Sequence, residues 1–316
     1  MTYGISGTRR ASVASVVALT AGAVLATGAF ASTAQAATPP TPTITAKGGF
    51  VMNNGTAKTL YGKSADTRRS TGSTTKIMTA KVVLAQKNLN LDAKVTVQKA
   101  YSDYIVKNTA SSARLIVGDK VTVRQLLYGL MLPSGCDAAY ALADKFGTGS
   151  TRAARVKSFI GKMNASAKSL GLKNTHFDSF DGIGGGSNYS TPRDLTKIAS
   201  SAMKNSTFRA IVKTRSTKQK VTTKTGGYRY MSWANTNAML GSYTGMIGVK
   251  TGSGPTAKYC LVFAATRNGK TVIGTVLTST SASTLEPSSP STSLWSKESA
   301  SVVTWRGFTL PLWTQG

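Results

Sequence analysis

The hydrophobic and polar positions of this chain change their period along its length. Residues 49–62 have the pattern of a hairpin, with Asn53-Asn54-Gly55 at its turn. The middle of the chain carries apolar residues at helical spacing, which predicts helices at 73–87, 121–132, 137–146, 151–170 and 190–204. From Met246 the pattern changes to segments rich in Val, Ile, Leu and Thr, which predicts strands at 246–251, 258–266 and 271–279.

This order of elements indicates the fold class. Asn268-Gly269 predicts a tight hairpin turn between the last two strands, so these strands are expected to be antiparallel. Strands at both ends of the chain with helices between them favour one antiparallel sheet beside a helical lobe. We therefore predict an α+β fold.

The two ends of the chain differ from the middle. Arg9 and Arg10 precede an apolar stretch that ends near Ala34-Gln35-Ala36, which predicts that residues 1–36 are a signal peptide cleaved after Ala36. An uncleaved membrane anchor stays the alternative, because the stretch is nearly long enough to span a bilayer. Residues 37–46 are rich in Thr and Pro and are interpreted as a linker, followed by a folded domain over 47–280. Residues 281–316 form an atypical tail whose Ser, Thr, Pro and Trp content favours disorder.

Composition and charge narrow the range of possible binding partners. The chain has 316 residues, 41% of them hydrophobic, and a formal net charge of +28 that is spread along the sequence. Such a surface attracts polyanions, although a general effect on solubility stays the alternative. Export argues against nucleic acid and favours anionic cell-wall polymers. Two cysteines and one histidine argue against a structural zinc site, so we expect no metal and no cofactor, whereas a disulfide stays open.

The most informative local pattern is Ser73-x-x-Lys76 in a predicted helix. Residues three apart share a helix face, so the lysine amine is expected beside the serine hydroxyl. A serine hydroxyl becomes a good nucleophile only when a base takes its proton, and a lysine can do this without histidine. The single histidine, His176, is interpreted as structural. The alternative for Ser73 is an ordinary helix N-cap.

Two further motifs carry candidate chemistry. Lys250-Thr251-Gly252 ends a predicted strand, where the lysine can meet a carboxylate and the glycine lets a substrate backbone approach closely. Ser134-Gly135-Cys136 lies in a short loop between predicted helices, for which a plain turn is the alternative. Second copies of the first and last motifs, at 201–204 and 224–226, are interpreted as surface segments.

Together, Ser73-x-x-Lys76, Ser134-x-Cys136 and Lys250-Thr251-Gly252, in this order, resemble the penicillin-binding serine DD-peptidases. The spacing is similar to that of low-molecular-mass D-alanyl-D-alanine carboxypeptidases and single-domain DD-transpeptidases. The likeness covers about residues 45–280, with support from 70–80, 132–139, 174–177 and 189–191. It implies a five-stranded antiparallel sheet beside a helical lobe, with the active site between them.

The resemblance also implies a reaction and roles. The expected substrate is a peptidoglycan stem peptide ending in D-Ala-D-Ala, with β-lactams as covalent inhibitors. Together with the predicted signal peptide, this favours a secreted, cell-wall-associated enzyme, which we expect to be a monomer. Ser73 would be acylated, with Lys76 as its base and Ser134 as a proton relay. The residues expected to bind the substrate are Cys136, Lys250, Thr251, Gly252 and Ser253, and the N–H groups of Ser73 and Ser253 would form the oxyanion hole.

The chain departs from the family pattern in two places. The family usually has Asn where this chain has Cys136, and a thiol is a poorer hydrogen-bond partner than an amide. Residues 280–316 show no pattern for the C-terminal helix that normally covers the family's sheet. Two other functions stay open: a β-lactamase-like hydrolase, which would need a glutamate that this region lacks, and a non-catalytic basic cell-wall-binding protein with the same fold.

Overall fold

The computed structural model describes residues 44–280. The predicted signal peptide, most of the predicted linker and the tail lie outside them. The elements, in chain order, are β1 (Gly48–Asn53), β2 (Thr59–Lys63), a 3₁₀ turn (Gly72–Thr75), α1 (Lys76–Leu84), β3 (Lys94–Thr96), α2 (Lys99–Asn108), β4 (Lys120–Thr122), α3 (Val123–Met131), α4 (Cys136–Phe146), α5 (Arg152–Ser169), α6 (Pro192–Ala202), α7 (Ser206–Lys213), β5 (Ser216–Thr222), β6 (Tyr228–Ala234), α8 (Met239–Ser242), β7 (Met246–Gly254), β8 (Lys258–Arg267) and β9 (Lys270–Ser279).

The five-stranded antiparallel sheet that the resemblance implied is present, with strand order β2-β1-β9-β8-β7. Both predicted hairpins form, and the turn between β8 and β9 places Asn268 and Gly269 at positive φ, as a tight hairpin turn requires. The two ends of the domain meet in the sheet, because β1 pairs with β9 through Val51 and Gly274. The predicted α+β class is confirmed.

A second sheet, with order β3-β4-β5-β6, was not predicted. Its strands β3 and β4 have three residues each, too few for a periodic pattern to emerge. The helix predicted from residue 121 begins at Val123 instead, because Thr122 accepts a hydrogen bond from the Gln125 amide and the Gln125 side chain accepts one from Thr122 in return. This capping box stops the helix from starting earlier. Helices α2, α7 and α8 were also missed.

Helix α1 lies at the centre of the helical lobe. It buries Ile77, Met78, Val82 and Val83, and it contacts α3, α4, α5, α6 and α7. A helix that is apolar on nearly all sides belongs inside the protein. Packing on several sides therefore fixes α1, and with it the 3₁₀ turn that leads into this helix. Within residues 44–280, no helix combines the length and the apolar character needed to cross a lipid bilayer.

The lobe meets the sheet along α6 and β7. Thr196 in α6 and Thr275 in β9 share a buried hydrogen bond of 2.8 Å between their hydroxyls. Strand β7 runs against the 3₁₀ turn, and a Cβ on Gly252 would lie 3.0 Å from the Thr71 carbonyl oxygen. The interface between lobe and sheet is thus where the start of α1 and the last motif come together.

We expect Val83→Ala to destabilise the fold by about 2 kcal/mol, because Val83 is fully buried in α1 and its truncation removes apolar contacts and leaves a cavity. Val106→Ala is the matched control, since Val106 occupies a similar place near the end of helix α2 but is 79% exposed. We expect this control to change stability by less than about 0.5 kcal/mol. Urea unfolding measures the free energy of unfolding of both variants. Equal losses of stability would contradict the central position of α1.

Candidate active site

The hydroxyl and amine of the first motif are in direct contact. Ser73 lies in the 3₁₀ turn and Lys76 is the first residue of α1. The Lys76 Nζ donates a hydrogen bond of 2.8 Å to the Ser73 Oγ, while the lysine side chain is fully buried. This is the spacing that a nucleophile and its base need for proton transfer.

Lys250 brings a second amine to the same place. Its side chain is 1% exposed, and its Nζ donates to the Thr251 carbonyl oxygen at 3.2 Å. Burial lowers the pKa of Lys250 well below its usual range, and the nearby charge of Lys76 lowers it further. The hydroxyls of Thr251 and Thr236 share a hydrogen bond of 2.6 Å. We predicted Lys250 at the end of a strand, which was wrong: β7 continues to Gly254, because its backbone stays paired with β8.

The middle motif reaches the same site from the start of α4. Ser134 has a left-handed backbone (φ 66°), and its buried Oγ has no hydrogen-bond partner within the described part of the chain. Burial raises the pKa of the Cys136 thiol, and the nearby charge of Lys76 opposes that rise. Cys136 and Cys260 are both buried and free, so no disulfide joins them.

Asp137, which the sequence did not single out, fixes the loop in front of this motif. Its buried carboxylate accepts hydrogen bonds from the backbone amides of Ala113 and Leu115 and from the Ser112 hydroxyl, at 2.8 to 3.1 Å. Carboxylates that accept several such bonds hold a backbone strongly. The loop over 111–115 is thereby tied to the N-terminus of α4, next to Cys136.

The loop over 178–188 forms another wall and was also missed. The Asp181 carbonyl oxygen accepts from Lys76 Nζ at 3.1 Å, and the Phe180 carbonyl oxygen accepts from the Thr79 hydroxyl at 2.5 Å. Gly182 has φ +94°, and a Cβ there would lie 2.0 Å from the Gly72 carbonyl oxygen. The glycine run at 182–186 was the available signal for a close backbone approach.

A cavity of about 500 Å³ opens beside the nucleophile, between the 178–188 loop and the turn that joins β7 to β8. It is lined by Gly72, Gly182, Tyr189, Ser253 and Ala257, among others. A Cβ on Gly72 would lie 2.8 Å from the Ser253 carbonyl oxygen, so this part of β7 is packed against the 3₁₀ turn. The cavity therefore reaches the 3₁₀ turn at Gly72, the residue before Ser73.

With this geometry in place, comparison with known proteins identifies the family. The family model described as D-alanyl-D-alanine carboxypeptidase, of the S11 peptidases, matches residues 33–281. The chain belongs to this family.

Individual relatives agree with this assignment. The D-alanyl-D-alanine carboxypeptidase of Streptomyces sp. strain K15 is 74% identical over 269 residues, which cover 85% of this chain and 92% of the relative. The crystal structure of the Streptomyces K15 DD-transpeptidase superposes with a TM-score of 0.80 at 73% identity, covering 84% of this chain and 98% of that one. A D-alanyl-D-alanine carboxypeptidase structure from Mycobacterium tuberculosis H37Rv gives 0.72 at 28% identity, covering 88% and 96%. The resemblance drawn from the three motifs is confirmed.

The second copies of the motifs lie elsewhere in this S11 peptidase. Ser201 and Lys204 are at the end of α6, where the lysine is exposed. Lys224 lies in the exposed turn between β5 and β6. His176 is exposed and forms a backbone bridge with Tyr189, which agrees with a structural role.

We expect Gly182→Ala to impair the active site, because the added methyl group would displace the Gly72 backbone next to Ser73. Gly226→Ala is the matched control: its φ of +91° is nearly the same, but open space surrounds it. Both changes cost about 1 kcal/mol through the left-handed backbone. Penicillin acylation rates and thermal melts distinguish them, and equal acylation rates would contradict the close contact.

Proposed function

We propose that this S11 peptidase cleaves the terminal D-Ala-D-Ala bond of peptidoglycan stem peptides through an acyl-enzyme on Ser73, and that β-lactams acylate the same oxygen. The observation that carries the proposal is the 2.8 Å hydrogen bond between the Lys76 amine and the Ser73 hydroxyl. The names of the relatives, as D-alanyl-D-alanine carboxypeptidases and a DD-transpeptidase, support the substrate class.

The proposed reaction begins with Lys76 as a neutral amine. Lys76 takes the Ser73 hydroxyl proton while the Oγ attacks the peptide carbonyl carbon. The N–H groups of Ser73 and Ser253 stabilise the oxyanion. The tetrahedral intermediate then collapses: the peptide C–N bond breaks, and the departing D-Ala amine receives a proton through Ser134. The Ser134 Oγ has no hydrogen-bond partner within residues 44–280, which supports this role.

The acyl-enzyme has two outcomes. Water hydrolyses the ester and releases a shortened peptide, which is the carboxypeptidase reaction. An amine from a second stem peptide instead forms a new peptide bond, which is the transpeptidase reaction. In both, the proton removed from the attacking group returns to the Ser73 oxygen when the ester breaks.

The remaining motif residues are proposed to hold the substrate. Lys250 and the Thr251 hydroxyl bind the C-terminal carboxylate, which leaves when D-Ala departs. The negative charge of this carboxylate favours the ammonium form of Lys250 and so opposes the effect of burial on its pKa. Gly252 gives the substrate backbone close access to β7, and Cys136 lines the opposite side. A thiol is a weak hydrogen-bond partner, so we propose that the peptide is held on this side by contact with Cys136 more than by a strong hydrogen bond.

The two alternative functions have less support. The sequence has no glutamate before Glu286, so the described domain lacks the side chain that a class A β-lactamase uses for deacylation. A non-catalytic wall binder has no need for a fully buried lysine aimed at a serine hydroxyl, and burying such an amine is costly. The DD-peptidase reaction uses this arrangement.

We expect a fluorescent penicillin to form a stable adduct with the wild-type chain and none with Ser73→Ala, because the acyl group is carried by that oxygen. Ser201→Ala is the matched control, since it removes the serine of the second Ser-x-x-Lys copy, and it should keep the adduct. Gel fluorescence reads the result. In a second experiment, the enzyme is incubated with a peptide ending in D-Ala-D-Ala, with and without an amine acceptor. The masses of the products distinguish hydrolysis from transpeptidation. An adduct on folded Ser73→Ala would refute the assignment of the nucleophile.

We also propose that anionic cell-wall polymers bind the hairpin of β5 and β6. The sequence has no acidic residue between Asp194 and Glu286. On the hairpin, Tyr228 and Tyr230 are 61% and 55% exposed, and the amines of Lys220 and Lys218 lie 4.0 and 4.7 Å from their ring centres. Asp119 pairs with Arg229 of this hairpin at 2.8 Å, whereas Lys218 and Lys220 lie against the two tyrosine rings, so their charges remain available to a polyanion. Secretion, cleavage after Ala36 and a monomeric state stay predictions.

The double change Lys218→Gln and Lys220→Gln should weaken binding to inorganic polyphosphate about threefold or more. The pair Lys58→Gln and Lys173→Gln removes the same charge from exposed positions elsewhere and is the matched control. Fluorescence anisotropy at about 50 and 200 mM salt measures both affinities, and binding should weaken as salt rises. Equal losses of affinity in the two double variants would show that binding depends only on net charge, and would refute a site on the hairpin.

A further inference from the structure

One buried acid at the active site has no part in the reaction described so far. Asp181 is fully buried in the loop that packs against α1. Its backbone carbonyl oxygen accepts a hydrogen bond from Lys76 Nζ at 3.1 Å, beside the 2.8 Å bond from the same nitrogen to Ser73 Oγ. The base of the reaction is thus held by two acceptors, one of which belongs to Asp181.

The carboxylate of Asp181 is itself held in place. Its Oδ2 accepts from the Tyr104 hydroxyl and its Oδ1 from the Ile183 amide, both at 2.9 Å. Two donors aimed at the two oxygens suit the ionised form, which only accepts. Burial raises the pKa of Tyr104 and the charge of Asp181 raises it further, so the tyrosine remains a hydrogen-bond donor.

The aromatic rings behind the loop restrict its movement. The Phe180 ring stacks on Tyr140 with ring centres 5.1 Å apart, and it lies 5.5 Å from Tyr104. Thr79 in α1 binds the Phe180 carbonyl oxygen. The position of Asp181 relative to α1 is therefore fixed from both sides.

The position of Asp181 is important because other titratable groups lie close to Lys76. Lys250 on β7 contributes a second amine, whose charge and that of Lys76 repel each other, and Cys136 on α4 contributes a thiol. Asp137 is also buried nearby, but its oxygens are occupied by the 111–115 loop and by its own helix. Asp181, by contrast, contacts the Lys76 amine directly through its backbone carbonyl oxygen.

We propose that Asp181, held by Tyr104, is a positioning residue for Lys76: its carbonyl aims the amine at Ser73, and its carboxylate stabilises the ammonium that forms during acylation. The inference rests on the proposed function. When the Ser73 O–H bond breaks, an N–H bond forms on Lys76 and a positive charge appears next to Lys250. A fixed negative charge at Asp181 offsets that repulsion until the proton passes to the leaving amine.

The test compares Asp181→Asn with Tyr104→Phe, using the second-order rate of acylation by a penicillin between about pH 5 and pH 10. Both variants should lower the plateau rate about tenfold or more, because the base is less well placed. Asp181→Asn removes the charge that favours the ammonium, so the rising limb of its profile should move to lower pH by about one unit. Tyr104→Phe keeps the charge, so its limb should not move to lower pH.

Tyr140→Phe is the matched control. Tyr140 packs against the same Phe180 ring, and its hydroxyl makes no hydrogen bond within the part of the chain that the structure describes. It should acylate like the wild type. If Asp181→Asn does not fold, as judged by its thermal melt, Tyr104→Phe decides alone, and a wild-type plateau rate in this variant overturns the inference.

A lower melting temperature of Asp181→Asn with an unmoved pH limb would show a merely structural role and would also overturn it. Failure of the proposed function is recognised separately, since the wild type would then show no adduct that depends on Ser73.

Discussion

The active site depends on keeping two lysine amines out of water. The side chains of Lys76 and Lys250 are 0% and 1% exposed, and each amine has lost the hydration that normally stabilises its charge. Polar groups around them replace part of that hydration: the Ser73 hydroxyl and the Asp181 carbonyl for one amine, and the Thr251 carbonyl for the other. For Lys250, the same burial lowers the pKa of the amine well below its usual range.

The fold meets this requirement by joining rigid elements at the site. Helix α1 is enclosed by the helical lobe, and Lys76, its first residue, is fully buried. Strand β7 is paired along its length with β8, and the α4 start is tied down by Asp137. Catalytic groups on such elements need little reorganisation during reaction. Glycines at the points of contact let the backbones approach, as Gly182 does against Gly72.

Much of the framework followed from local patterns. The strands predicted at 258–266 and 271–279 are observed as Lys258–Arg267 and Lys270–Ser279, and the helix predicted at 151–170 as Arg152–Ser169. The two strands are apolar, and α5 is long enough for its buried residues Phe159, Met163 and Ala167 to show a helical period. Strand β5, with Lys and Thr along it, faces solvent on much of its surface and has no apolar pattern to recognise. Its strand form depends on pairing with β6 and β4.

By itself, the sequence determined that Ser73 and Lys76 would lie one helical turn apart, because that distance depends only on local backbone geometry. It also determined the order of the three motifs, and so the family. Only the tertiary structure decided that Lys250 and Cys136 would surround Lys76, since these contacts join segments far apart in the chain. The tertiary structure also decided the contact between the Asp181 carbonyl and the Lys76 amine. Every residue has a backbone carbonyl oxygen, and only the folded backbone determines which donor it meets.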